Sequence, residues 1–422
     1  MYVWKFISHN ILSLSSLIAR RIAFNRERTF SKFIIRIALT ATALSVAIMI
    51  LATALVNGFQ RVVSHKVFSF WGHIHIMEYQ PNASPLTEEV PFQSNDTLEG
   101  KIAAIPGVKS IDAYATKSAI LKTTNEIEGV IFKGVAPGYH WQNLQPYLIN
   151  GHVLQFPDSG YSSQIIISAY LARKLNLKVK DGVIVYFIQK AGELPRPRKL
   201  IIAGIYKTSI EEYDRTFVIG DLRLIRLLNG WSHGQIGGYE IFLRNYHQMD
   251  TISNQIFEKY LPQQLTTQTI RQVYPNIFDW LRLQNTNEVI IILIMTLVAV
   301  INMTTAILIL ILERTHMVGI LKALGMKNRA LQGVFILQAG YIAAAGIVMG
   351  NIVGLGLAFL QKSTGFFKLN ESTYYMPVAP IDIHGWEVLA IDGGTLIVCL
   401  VILIIPSELI RRIGSVQAIG FK

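Results

Sequence analysis

Leu310-Ile-Leu-Glu-Arg-Thr-His-Met-Val-Gly-Ile-Leu-Lys-Ala-Leu-Gly325 joins one uncharged apolar run, Val289 to Leu312, to another, Ala330 to Gln361. Each run reaches the length of about 20 residues needed to cross roughly 30 Å of hydrocarbon, so the charged stretch between them is a short loop pinned at the membrane surface. Glu313 and Arg314 mark the exit from the membrane, and Val318 to Leu324 predicts a short helix carrying Gly319, Lys322 and Ala323, with Ile320, Leu321 and Leu324 as its apolar face. Gly325 ends that helix, and Lys327 and Arg329 lead into the next span. A solvated connector has little use for Ile-Leu and Ala-Leu in so short a loop. A groove on another protein is the better environment for that face.

Working outward, two more runs of membrane length appear, Ile37 to Phe59 and Trp386 to Ile405, the latter interrupted by Asp392. The chain is therefore expected to be an α-helical membrane protein with four transmembrane helices, one before and three after a large α+β domain. In residue numbers this gives an amphipathic segment over 1–32, spans at 33–59, 288–312, 330–361 and 386–406, the domain with its stalk helices at 60–287, loops at 313–329 and 362–385, and a tail at 407–422. The first 36 residues hold seven basic residues against Glu27 alone, and the 313–329 loop and the tail are basic as well. The positive-inside rule then places both termini and that loop in the cytoplasm and the large domain outside. The net charge of +12 reports this topology and gives a nucleic-acid partner no support. The first span follows a long basic stretch and exceeds a signal-peptide core in length, so it reads as an uncleaved anchor.

The domain carries strand patterns at His73 to Met77, Val108 to Tyr114, Glu128 to Lys133, Ile165 to Ile167, Val183 to Ile188, Leu200 to Tyr206, Thr216 to Ile219 and Tyr239 to Leu243. Asn95, Ser168 and Asp221 stand where helix caps belong. Two subdomains with a break near Asn150 to Gly160 are expected. Ile270 to Gln284 is amphipathic and runs into the second span without a breaker, and the first span continues through Val63, so both read as stalks. Cys399, the single cysteine, falls within the fourth span, and the domain must rely on its own core.

No phosphate-binding loop, zinc-protease motif or nucleophile elbow is present, so no catalytic residue is expected and energy must come from a partner. His73 and His75 share a strand face but lack a third ligand, and no metal site is expected. Gly346, Gly350 and Gly354 recur at intervals of four, which suits close helix packing within the subunit or between subunits. Asp392 lies about two turns from the outer end of its span, and an interfacial carboxylate competes with a functional one.

Glu313-Arg-Thr-x-x-x-Gly-Ile-Leu-Lys-Ala-Leu-Gly325, with the one-plus-three layout, resembles the coupling loop of the FtsX/MacB-type ABC permeases. Ala54-Leu-Val-Asn-Gly-Phe59, Leu283-Gln-Asn-Thr-Asn-Glu-Val-Ile-Ile, Ala104-Ile-Pro-Gly-Val108 and Pro406-Ser-x-x-x-Ile-Arg-Arg-Ile413 resemble the lipoprotein-releasing, LolC/LolE-type branch. The resemblance implies a bacterial inner-membrane subunit with a MacB-like periplasmic domain. It also implies two copies of a separate cytoplasmic ATPase that holds the ATP and Mg, a second permease copy in a homodimer or heterodimer, lipoprotein substrates entering from membrane lipid, and a soluble periplasmic lipoprotein carrier. By the same resemblance Glu313, Arg314 and Val318 to Gly325 would couple to the ATPase; Leu55, Phe59 and Ile292 are expected to border the substrate cavity from their position alone. Phe187-Ile188-Gln189-Lys190-Ala191-Gly192-Glu193-Leu194-Pro195-Arg196 would form the carrier-binding hook. Export of a peptide, lipid or antibiotic, regulation of cell-wall hydrolases, and a membrane-anchored sensor without an ATPase are the alternatives.

Overall fold

A computed structural model describes residues 30–80, 89–124, 126–189 and 193–408. The N-terminal amphipathic segment before residue 30, the basic tail after residue 408, and Lys190, Ala191 and Gly192 of the hairpin lie outside them. Contacts divide the chain into a helical unit (residues 1–61, 281–368 and 378–422) and a sheet unit (residues 62–280 and 369–377).

Among the described residues, four helices are long and apolar enough to cross a membrane. They are α1 (Phe30–Trp71), α2 (Pro275–Glu313), α4 (Asn328–Thr364) and α5 (Gly385–Ile402), with the short α3 (Thr315–Ala323) between α2 and α4. α1 runs well past Phe59 as one helix, whereas the second expected stalk is divided: Ile270–Val273 forms a separate short helix, and α2 begins at Pro275 and runs unbroken into its span. Apolar side chains of α2, α4 and α5 interlock in the helical unit, with Met303, Leu310, Phe335, Ala339, Ala343 and Cys399 buried together. Outward-facing Leu293, Leu297 and Ile301 of α2 remain more than half exposed, as side chains turned to hydrocarbon do.

The glycine stripe of α4 packs within the chain, against α1. A Cβ at position 350 would lie 2.7 Å from the Ala43 carbonyl oxygen and 2.7 Å from the Val46 Cβ, and one at 346 would lie 2.9 Å from the Thr42 Cβ. Glycine is needed there because lipid offers no hydrophobic drive for association, and close backbone contact supplies the attraction. Gly350→Leu forces α1 and α4 apart. It is expected to destabilise the helical unit by about 3 kcal/mol, the upper end for overpacking, read as a lowered melting temperature in detergent. A melting curve unchanged from wild type contradicts that packing.

The sheet unit is built on ten strands in the order β12-β1-β11-β3-β4-β9-β6-β8-β5, with β7 paired to β3 and β8. These are β1 (Ile74–Glu78), β3 (Val108–Lys122), β4 (Ile127–Val135), β5 (Leu148–Gly151), β6 (Gln164–Ser168), β7 (Gly182–Phe187), β8 (Arg196–Tyr206), β9 (Phe217–Asp221), β11 (Gly238–Leu243) and β12 (Leu265–Thr269); β2 (Phe92–Gln93) and β10 (Gln235–Ile236) pair separately. Pairs β4–β9 and β6–β8 are parallel and the rest antiparallel, which makes the domain a mixed α/β one. One continuous sheet takes strands from both sides of the Asn150 to Gly160 region, which replaces the expected two subdomains. β3 is the cause: its 15 residues pair with β11 at one end and with both β4 and β7 at the other.

The three helix caps hold. Asn95 accepts from Leu98 N at 3.1 Å, Ser168 from Leu171 N at 3.1 Å, and Asp221 from Arg223 N at 2.8 Å, each satisfying an otherwise orphaned donor.

Candidate functional site

α3 starts at Thr315, a turn earlier than expected, and its sides differ sharply. Val318 and Gly319 are buried, and Met317 and Leu321 pack on the helical core beside Leu331 and Phe335. Ile320 is 42% exposed and Leu324 79%. The apolar face read as Ile320, Leu321 and Leu324 is thus divided, with Leu321 committed to the chain's own core and Ile320 and Leu324, one turn apart, left outside. Glu313, Ala323 and Gly325 are also exposed, and Arg314 and Lys322 are half-buried. The stop is a Schellman turn. Met326 N donates to Leu321 O and Gly325 N to Lys322 O, both at 3.0 Å, while Gly325 takes φ +87° and Met326 and Leu321 pack on the same core. Only glycine adopts that φ without strain, which is why the helix ends there.

On α1, the Ala54 to Phe59 motif now has a physical content. A Cβ at Gly58 would meet the Pro380 carbonyl oxygen at 2.5 Å, Asp382 N donates to Ala54 O at 3.0 Å, and Asn57 Nδ2 donates to Glu387 Oε2. The motif is the seat for the chain between α4 and α5. Leu55, Phe59 and Ile292 are half-buried, and Ile292 packs beside Val46, Met49 and Ile50 of α1. Asn351 of α4 donates to Asp392 of α5 at 2.8 Å, a polar contact tying two apolar helices together.

In the sheet unit, β7 and β8 form the expected hairpin, in register from Gly182↔Ile201 to Phe187↔Arg196. Phe187 is buried, with its ring edge against Phe132 at 5.1 Å, so it cannot reach a carrier. The loop is fastened at its base by Ile188 N to Ser118 O (3.0 Å) and Arg196 Nη1 to Leu228 O (3.2 Å). Leu194, 87% exposed, and Ile188 are its outward apolar side chains; Glu193 and Pro195 are exposed and Gln189 half-buried.

Sequence reasoning missed the point where α1 enters the sheet. The helix's last carbonyls need donors, and two buried side chains supply them: Lys133 Nζ donates to Phe70 O, and His75 Nε2 donates to Trp71 O at 2.7 Å. Lys133 also lies over the Trp71 ring at 4.3 Å and pairs with Glu240 at 2.6 Å, both residues being almost inaccessible. Burial pushes the Lys133 ammonium below its ordinary range and the Glu240 carboxyl above its own, while each partner's charge opposes the shift of the other. A glutamate inside the apolar run Tyr239 to Leu243 was the available signal. His73 and His75 serve the backbone here: His73 Nδ1 accepts from Leu243 N at 3.1 Å.

A second missed feature lies in the expected 362–385 loop, whose middle, residues 369–377, belongs to the sheet unit. Glu371 pairs with Lys207 at 2.7 Å and accepts from Ser209 Oγ at 2.6 Å, and Lys66 Nζ donates to Tyr375 O at 2.6 Å. Asp214 shapes the turn that presents Ser209 by accepting from Thr208 N and Ser209 N, both at 3.0 Å. The chain therefore passes between the units four times, twice through unbroken helices and twice at the ends of this strap.

Residues 289–415 match the FtsX-like permease C-terminal family. Similar proteins over nearly the whole chain carry lipoprotein-releasing names. The chain is 21% identical, over 98% of its own length and 100% of the relative's, to the lipoprotein-releasing system transmembrane protein LolC of Neisseria meningitidis serogroup B. It is 22% identical to LolE of Haemophilus influenzae over 90% of this chain and 92% of that one. Among solved structures, the periplasmic region of MacB from Actinobacillus actinomycetemcomitans aligns with 49% of this chain and 92% of its own at 10% identity and a TM-score of 0.34. The extracellular domain of the noncanonic ABC-type transporter YknZ from Gram-positive bacteria aligns with 46% and 98% at 15% identity and a TM-score of 0.32.

Proposed function

We propose that the chain is the membrane subunit of an ABC transporter that releases lipoproteins from the bacterial inner membrane. It works with two copies of a separate cytoplasmic ATPase, which holds ATP and Mg, and with a second permease copy. The observation that carries this reading is α3, a short helix seated by Val318 and Leu321 and stopped at Gly325, with Ile320 and Leu324 uncovered. A partner's groove can close on those two side chains and move the seated helix as a rigid lever, because packed interfaces transmit displacement where flexible loops absorb it. The basic flanks favour a cytoplasmic lever and a periplasmic sheet unit. Motion then leaves through α1, α2 and the strap; Leu55, Phe59 and Ile292 border the path of the substrate, and the β7–β8 loop, with Ile188 and Leu194 outward, meets the soluble carrier. The relatives' lipoprotein-releasing names favour lipoproteins over other cargo.

The test substitutes the exposed pair. Ile320→Asp with Leu324→Asp is expected to abolish copurification of the ATPase and lipoprotein release, while the chain still inserts and melts as wild type. Gly319 and Leu321 are the wrong positions, since charges there disrupt the chain's own core. Full ATPase copurification with the double variant would falsify the lever. Unchanged lipoprotein localisation after depletion of the chain refutes the cargo.

A further inference from the structure

One cavity of the sheet unit has no part in that cycle. It is a partly open cavity of about 340 Å³, within the range typical of small-molecule sites. Its walls include Trp71, the last residue of α1, Tyr114 of β3, Phe217 of β9 and Tyr274, the residue before α2. Glu78 and Glu89 supply carboxylates, and among the described residues that line it there is no lysine or arginine, in a chain whose net charge is +12. Glu89 is held in place, accepting from Thr116 N at 2.8 Å and from Thr116 Oγ1 at 2.9 Å. His75, also in the wall, is kept neutral by burial, which pushes its imidazole down to about 4. The buried Lys133 is paired with Glu240.

We propose that this cavity binds a small organic cation, a primary or quaternary ammonium group, with the aromatic rings facing the charge and Glu78 and Glu89 balancing it. Aromatic faces attract cations through the ring quadrupole, most strongly where water is excluded. An anion of the same size meets two carboxylates, and a neutral ligand forfeits both terms. Trp71 ends one long helix and Tyr274 precedes the other, so a ligand here bridges the two residues where these helices join the sheet.

The experiment is calorimetric titration of the full chain in bilayer discs with choline and with its neutral isostere 3,3-dimethylbutan-1-ol. Choline is expected to bind saturably and the alcohol at least ~10-fold more weakly. Glu89→Gln, and separately the half-buried Glu78→Gln, should each weaken choline several-fold while leaving the melting temperature unchanged. Discs of phosphatidylglycerol alone, compared with discs containing phosphatidylethanolamine, distinguish a soluble amine from a lipid headgroup: choline competing with the second lipid assigns the headgroup, and equal binding in both assigns a free amine. Equal affinity for choline and the alcohol, or no saturable binding of choline and of n-butylammonium in phosphatidylglycerol discs, overturns the proposal. Neither outcome depends on the ATPase or on lipoproteins.

Discussion

Glu240→Gln destabilises the sheet unit by about 3–5 kcal/mol, the cost of leaving a buried charge without its partner. Lys133 is almost inaccessible, and its other contacts, the Phe70 carbonyl and the Trp71 ring, cannot neutralise an ammonium. The double variant Lys133→Met with Glu240→Gln removes both charges and is expected to recover most of the loss, because two desolvation penalties disappear together. Hydrogen exchange at the β11 and β3 amides reads this directly, since Glu240 lies on β11, β3 separates it from Lys133 on β4, and opening of these strands reports the sheet unit alone. If the double variant exchanges as fast as Glu240→Gln, the loss comes from something other than the orphaned charge. Retained protection in the single variant means the pair contributes little. The same substitutions bear on function, because Lys133 holds the last turn of α1 to the sheet. Under the proposed function, a sheet unit that still folds but has a loosened root should release substrate poorly even with the α3 lever intact.

Acid is the second large effect. Burial holds His75 down to about 4 and His73 down to about 3, the latter with smaller contributions from His65 and Lys109; at His75 the Trp71 carbonyl bond opposes the shift and Lys133 adds to it. Both imidazoles are therefore neutral in the folded chain and protonate readily once it unfolds. Between about pH 6.5 and pH 4 the unfolded state binds more protons, so stability is full above pH 6.5 and falls as the pH drops through that window. For His75 alone the loss is roughly 3 kcal/mol by pH 4. Glu240 works in the opposite sense, because a carboxyl raised by burial favours the folded chain at lower pH. The decisive measurement is therefore the difference between two pH profiles of unfolding, wild type and His75→Gln, in which Glu240 largely cancels. Glutamine can still donate to the Trp71 carbonyl. The variant is expected to lose one proton's worth of slope between pH 6.5 and 4, and superimposable profiles refute the assignment.

Legibility followed the range of the forces involved. The caps at Asn95, Ser168 and Asp221 and the stop at Gly325 are local, satisfied within a turn or two of their own backbone, and were readable as sequence. So were the eight strand patterns, as short alternating or β-branched runs. β12 escaped notice because Leu-Thr-Thr-Gln-Thr has a single apolar residue and becomes a strand by pairing with β1. The division of α3 into an inward Leu321 and an outward Leu324 was likewise invisible, since both are leucines at helical spacing and only the position of the core separates them.

The sequence by itself determined what this protein is made of: apolar runs of membrane length, a charged helix pinned between two of them, a basic side, and no catalytic motif. Those properties depend on residue type and spacing, which hydrocarbon and water sort without reference to distant contacts. Only the tertiary structure decided which surfaces are already occupied. It set the glycine stripe of α4 against α1, joined Lys133 to Glu240 across 107 positions of chain (240 less 133), and drew residues 369–377 into the sheet unit. Partners so distant in sequence meet only through the packing of whole elements, and no local pattern records where that packing brings them.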